Sequence, residues 1–352
     1  MTRPVKLLLA AVLFLVLAGI VVFVIARMRP LAMYAASGRR ALLSAGLPKS
    51  AIASPVGPQT VFKGGSGPVL VLLHGAGDQA AAWSIVAPKL LPGRTLVIPD
   101  LAGHGDSAPE KGPLPVETLL AGLSAVLDEV APGERTRAEG FGETGVRVPR
   151  DHGQQSPRAP GTVERITIVG NSLGAWLACL WAKEHPERVE RIVLVNGGPL
   201  KHVAEGLTLQ PKNRAEARRT IEALRDPGSI RVPDFVLDDV VREAAKGPIA
   251  RLAAASDGME RFVLEGRLGE VTVPVDIVWG ASDRVIPLSY AERMRAELAR
   301  VRLTELPRCG HVPQQECPAA FAETLLKLLA GPPPAALPGA AAPPAPVSGV
   351  AP

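Results

Sequence analysis

The stretch "GNSLG", Gly170 to Gly174, lies directly after "ERITIV" and directly before "AWLACLWAKEHP". A strand-like apolar run gives way there to a helical pattern, with a serine at the crossing. Glycines at minus two and plus two of the serine occupy the positions where a side chain would clash in so sharp a turn. Such a turn lifts Ser172 Oγ clear of the strand end. It also puts the amide of Leu173 at a helix N-terminus, where anions are stabilised. An ordinary turn would show the same letters, so the reading depends on what surrounds it.

Working outward, short apolar runs at 69–75, 95–100, 166–170, 191–196, 275–280 and 301–306 read as strands buried on both faces. Helical patterns at 116–130, 173–185, 288–299 and 316–329 alternate with them. That alternation predicts an α/β fold, a mostly parallel central sheet flanked by helices. "VFKGGSGP" ahead of the first run suits a short edge hairpin. Residues 199–270 hold roughly three helices and interrupt the sheet, which makes them a helical cap inserted between core strands. Residues 132–162 have little apolar material and much Gly, Pro and Arg, and read as a solvated loop insertion.

In a parallel α/β sheet, ligands bind at the carboxyl ends of the strands. Ser172 falls there. A serine hydroxyl needs a base to take its proton, and the base needs a carboxylate to fix its tautomer. Asp283, in "WGASDRVIP", and His311, in "LPRCGHVPQQECP", each follow a strand. Asp276 is a rival acid, but mid-strand it points into the sheet layers. The amide of Ala76, in the glycine-loosened "HGAGD" loop, joins that of Leu173 as an oxyanion donor, with Gly77 the weaker choice.

The segments "LLHGAG", "DLAGHGDS", "GNSLG", "WGASDRVIP" and "GHVPQQECP" stand in the order found in α/β-hydrolase-fold enzymes. Over about 60–330 the chain resembles the lid-bearing serine hydrolase branch, which includes carboxylesterases, monoacylglycerol lipases and carbon–carbon bond hydrolases. The resemblance implies Ser172 as nucleophile, His311 as base and Asp283 as orienting acid. Gly170 and Gly174 are then the elbow glycines, and 199–270 covers the acyl pocket. It implies no cofactor and no metal. Where many relatives have a second glycine after the elbow, this chain has Ala175, which a helix tolerates. The serine at 172 argues against the dehalogenases and epoxide hydrolases of this fold, which attack with aspartate.

Other polar residues read as structural. Asp100, His104 and Ser107 pin the loop after the strand at 95–99, and His74 belongs with them. Arg218, Arg219 and Arg225 form a solvated helix face. Trp83, Trp176, Trp181 and Trp279 are core or pocket wall.

The ends read differently. After a flank at 1–6, residues 7–26 hold no charge and no proline. A helix of that length spans ~30 Å, a hydrocarbon core. This predicts a single-pass anchor, in a bacterial inner membrane if the Ala-, Pro- and Arg-rich composition reflects a GC-rich bacterial genome. The alternative is a cleaved signal and a secreted or periplasmic enzyme. Basic residues on both sides leave the orientation open. Residues 27–58 read as a membrane-proximal linker with a short helix near 31–43. The hydrolase domain covers 59–330, and 331–352 is a disordered Pro/Ala-rich tail.

A net charge of +5, with scattered basic residues and few aromatics, excludes a nucleic-acid partner. With 3 cysteines and no CxxC, the expectation is thiols used for packing. The function expected is a membrane-anchored serine esterase acting on a small, apolar, acyl-lipid-like substrate. Acyl transfer or carbon–carbon hydrolysis by the same triad, and a non-catalytic anchored docking protein, are the alternatives.

Overall fold

The computed structural model describes residues 3–131 and 165–336, so the readings of 132–162 and of the tail beyond 336 lie outside the described residues. An eight-stranded sheet runs in the order β1-β2-β4-β3-β5-β6-β7-β8. Its strands are β1 (Lys49–Ile52), β2 (Gln59–Gly65), β3 (Val69–Leu73), β4 (Thr95–Pro99), β5 (Ile166–Asn171), β6 (Val189–Val195), β7 (Val275–Gly280) and β8 (Val301–Leu306). The helices are α1 (Arg3–Met28), α2 (Pro30–Ser44), α3 (Ala87–Leu90), α4 (Val116–Val130), α5 (Leu173–Glu184), α6 (Arg214–Ala223), α7 (Asp234–Ala244), α8 (Pro248–Ala253), α9 (Leu288–Glu297), α10 (Pro313–Glu316) and α11 (Pro318–Ala330).

From β4 through β3, β5, β6 and β7 to β8 every pairing is parallel. Successive side chains of these strands enter opposite layers, because strand side chains alternate between faces. Val71, Leu73, Ile168, Ile192 and Leu194 pack in one layer with α4, α5 and α9. Leu70, Leu72, Val169, Val193 and Val195 pack in the other with Trp83 and Phe321. Both faces are covered, which is why these strands read as unbroken apolar runs.

One expectation at the N-terminal side is corrected. The 27–58 segment is no linker beyond its first turn. The side chains of Leu42 and Leu47 are fully buried, and β1 pairs antiparallel with β2 from Lys49↔Phe62 to Ile52↔Gln59. The domain therefore begins near α2. The "VFKGGSGP" stretch runs through β2, which pairs antiparallel with the edge strand β1, so the edge hairpin expected there forms with the strand before it, and β4 lies on its other side. At the other end, the start of the tail is tied down, with Arg191 Nη2 donating to Gly331 O at 2.8 Å and Arg300 Nε to Pro334 O at 3.3 Å.

The cysteine expectation is also corrected. Cys309 and Cys317 form a disulfide across a Cα–Cα distance of 5.9 Å, while Cys179 is a buried free thiol. The turn through Gly310 and α10 brings the two sulfurs together, and nothing in their spacing announces it.

Residues 199–270 do form a cap, built on α6, α7 and α8. Arg251 of α8 donates to the carbonyls of Gly103, Pro109 and Gly112 at 3.0, 2.7 and 2.7 Å. The indole of Trp176 donates to Phe262 O at 2.9 Å, closing the other side onto α5. Among the described residues, α1 is the one helix long and apolar enough to cross a membrane, and its 18-residue apolar window is wholly unburied.

Candidate active site

Ser172 sits between β5 and α5 at φ 52 and ψ −114, in the left-handed region that side chains other than glycine's disfavour. The crowding expected of its neighbours is present. A Cβ on Gly170 would come within 2.3 Å of the Gly174 backbone, and one on Gly174 within 2.5 Å of Leu73 O. The strain is held by the Ser172 amide donating to Val195 O at 2.9 Å. No hydrogen bond of Ser172 Oγ occurs among the described residues. In unliganded active sites such bonds are often long and tighten only with substrate.

Asp283 and His311 are brought together from the loops after β7 and β8. His311 Nδ1 lies 2.7 Å from Asp283 Oδ2, and both residues are buried. The carboxylate is fully committed: Oδ1 accepts from the amides of Val285 and Ile286 at 2.9 and 3.0 Å, and Oδ2 also accepts from Asn196 Nδ2 at 2.8 Å. With Nδ1 occupied by the acid, Nε2 is the nitrogen left to meet a hydroxyl. Asp276, the rival acid, is buried in β7 and ion-paired to Arg302 at 2.7 Å and Arg191 at 3.4 Å.

Residues that sequence reasoning passed over knit the three loops together. Asn171 Nδ2 donates to Val195 O and to His311 O at 3.1 and 2.9 Å, and Gln314 Nε2 donates to Asn171 Oδ1 at 3.1 Å. Asn196, at φ 46, also accepts from the Gly280 amide at 2.9 Å. The His311 amide donates to Leu224 O of the cap at 2.7 Å. The only available signal was the presence of asparagine in "GNSLG" and "LVNGG", where the turn geometry admits a short polar side chain.

The two chosen oxyanion donors, the amides of Ala76 and Leu173, enter no backbone hydrogen bond among the described residues. The cap covers that loop, since a Cβ on Gly77 would lie 2.7 Å from Ile249 Cδ1 of α8. Asp78, next in the loop, accepts from Gln315 Nε2 at 2.6 Å, and burial pushes its carboxyl up to about 6.

The loop after β4 is structural. Asp100 accepts from the amides of Ala80 and Asp106 at 2.7 and 2.9 Å, and Ser107 Oγ donates to Asp100 O at 2.7 Å. His74 bonds through both nitrogens, Nδ1 to Gly75 O at 2.8 Å and Nε2 to the Leu101 amide at 2.9 Å. Burial pushes its imidazole down to about 4. Burial, then the neighbouring His74, push His104 down to about 3. Of the tryptophans, Trp83, Trp181 and Trp279 are core, while Trp176 is partly buried at the cap. Arg219 is exposed as expected, but Arg218 and Arg225 line a cavity in the cap and are not a free helix face.

Residues 70–324 match the model of the Alpha/beta hydrolase family. The chain belongs to that family. Among α/β hydrolases it is 27% identical over 290 residues to a 2-hydroxy-6-oxononadienedioate/2-hydroxy-6-oxononatrienedioate hydrolase of Cupriavidus pinatubonensis, covering 76% of this chain and 88% of that one. It is 26% identical to a pimeloyl-[acyl-carrier protein] methyl ester esterase of Nitrosomonas europaea, over 73% of this chain and 94% of the relative. The crystal structure of a bacterial membrane phospholipase A shares the fold, with a TM-score of 0.67 at 23% identity over 93% of this chain and 98% of that one. The chain is thus an α/β-fold hydrolase, and the reading as a non-catalytic docking protein is set aside.

Proposed function

We propose that the protein is a membrane-anchored serine hydrolase that cleaves a carboxylic ester through an acyl-enzyme. The observation that carries this reading is the buried His311–Asp283 pair, its imidazole Nε2 free, tied through Asn171 to the strained turn that bears Ser172. Ser172 Oγ attacks the ester carbonyl while His311 Nε2 takes its proton. Asp283 holds the tautomer and stabilises the imidazolium. The amides of Ala76 and Leu173 receive the developing oxyanion. His311 then returns the proton to the leaving alcohol, and water, deprotonated by the same nitrogen, frees the acid.

The N-terminal helix favours an apolar, acyl-lipid-like substrate, because an anchor would hold the pocket beside the bilayer. The Cys309–Cys317 disulfide favours a domain on the oxidising side of that membrane, since cytosolic disulfides are rare. A second reading, carbon–carbon bond hydrolysis, draws on the Cupriavidus relative and requires the same triad.

The deciding experiment is fluorophosphonate labelling of the purified chain beside Ser172→Ala. Labelling confined to the wild type, with turnover of the variant down by on the order of 10⁴–10⁶, is the expected result. Equal labelling of both sinks the assignment. Product analysis on ester and vinylogous diketone substrates, with and without added alcohol, then separates hydrolysis from carbon–carbon cleavage and acyl transfer.

A further inference from the structure

The cap contains a cavity of about 350 Å³ whose wall includes Arg218, Arg225, Arg231 and Arg284 against the carboxylates of Glu222 and Asp226. One of those carboxylates is turned to other work: Asp226 accepts from Ser282 Oγ and, at 2.8 Å, from the Gly228 amide. Arg218 is paired with Asp234 and, at 3.8 Å, with Glu222. Arg225 donates to Ile230 O and lies 3.8 Å from the buried Glu316 carboxylate, Arg284 donates to Glu222 O, and Arg231 has no partner among the described residues. A guanidinium has five N–H donors in a planar fork. Arg218 and Arg225 thus have carboxylate partners, Asp234 and Glu316, outside the wall, while Arg231 keeps all its donors free among the described residues.

Two further features bear on what the cavity faces. Ile230 on its wall is 86% exposed, while Leu7 and Phe14 of α1 are 70% exposed. An arginine cluster with an unburied isoleucine beside it suits a headgroup above and acyl chains below. The C-terminal end of α1 also docks on α7, the helix that supplies the cavity wall at Leu237. The Arg27 guanidinium lies 4.5 Å over the Phe235 ring, the Leu31 amide donates to Asp239 Oδ2 at 3.0 Å, and Arg29 pairs with Glu243 at 3.6 Å.

We propose that this cavity binds the phosphate of a bilayer phospholipid headgroup, at a site separate from the Ser172 centre. The proposal rests on the membrane-anchored reading above. Guanidinium forks match phosphate oxygens in pairs, so two or more arginines hold the group in one orientation. Occupancy would be felt at the catalytic loops. The segment behind the cavity carries Ala223 O and Leu224 O, which accept from the Arg284 and His311 amides at 3.0 and 2.7 Å. A bound headgroup thus braces the backbone that holds the acid and base turns.

The test uses the full chain carrying Ser172→Ala, so that no lipid is consumed, in detergent micelles read by native mass spectrometry. The probes are didecanoyl-phosphatidylglycerol, didecanoylglycerol with the same chains and no phosphate, and inorganic phosphate. Retention of the phospholipid over the diacylglycerol, weakened roughly tenfold or more per arginine in Arg225→Gln/Arg231→Gln, is the expected result. Arg231→Gln alone, which has no internal bond to lose, keeps the test if the double variant does not fold. Equal binding of both lipids, or wild-type binding by Arg231→Gln, overturns the site. Inorganic phosphate bound as tightly as the phospholipid overturns the lipid as source. Because binding is read without turnover, loss of the hydrolase reading would leave this result standing. Carbonate extraction of membranes tests the anchor separately: a chain that washes off removes the bilayer from the proposal.

Discussion

Two regions of this hydrolase hold the same three residue types and use them oppositely. In the loop after β4, Asp100, His104 and Ser107, with His74 behind them, direct their polar atoms mainly into backbone amides and carbonyls. At the ends of β5, β7 and β8, Ser172, Asp283 and His311 form one buried pair and leave a hydroxyl and an imidazole nitrogen unassigned. Composition does not separate these sites. What separates them is the carboxylate: Asp100 is spent on the amides of Ala80 and Asp106, whereas Asp283 meets an imidazole. A free nitrogen alone marks no site, since among the described residues His104 Nε2 is buried without a partner too.

The comparison breaks first at the acids. Asp283→Asn should lower turnover by about 10⁴, since an amide offers the histidine the wrong tautomer, with a lesser loss of stability where its NH2 faces the donor of Asn196. Asp100→Ala should do the reverse: about 3 kcal/mol of stability lost to orphaned buried amides, read as a lower denaturant midpoint, with turnover of the folded fraction within a few-fold. A large loss of turnover at Asp100 would erase the distinction.

Acid should sharpen it. His74 and His104 have folded values, about 4 and about 3, depressed below the unfolded imidazole at 6.5. The unfolded chain therefore takes up protons first. Stability is full above pH 6.5 and falls as pH drops through that window, by about 3 kcal/mol at His74 alone. Urea midpoints between pH 7 and 4 measure it, and His74→Gln should flatten the slope.

The smallest effect expected is at the disulfide. Reducing Cys309–Cys317, which closes a short loop around His311, should cost about 2 kcal/mol. A midpoint unmoved by reductant in an oxidised sample would show that the His311 turn is held by Asn171 and Leu224 without the bridge.

Much of this molecule was legible in its sequence. The strands from 69 to 306 could be placed because both faces are buried, which leaves continuous apolar runs with sharp ends. The candidate triad followed, because a parallel sheet puts its strand-end loops on one side. Less visible was the start of the domain. The 27–58 segment shows no strand-like run, and β1 has mostly exposed side chains, so only its pairing with β2 marks it as part of the sheet. Asn171 and Asn196 carry no pattern that marks them, although each bridges two loops.

The sequence by itself determined the layered α/β architecture, the apolar N-terminal helix and the short set of polar residues from which a site could be drawn. These follow from local periodicity and from the rule that strand ends gather. The tertiary structure decided in which of two Asp–His–Ser groupings the carboxylate meets the imidazole, which cysteines join and which cap arginines face a common cavity. Those outcomes depend on hydrogen-bond and charge partners tens to hundreds of residues apart, which no local pattern records.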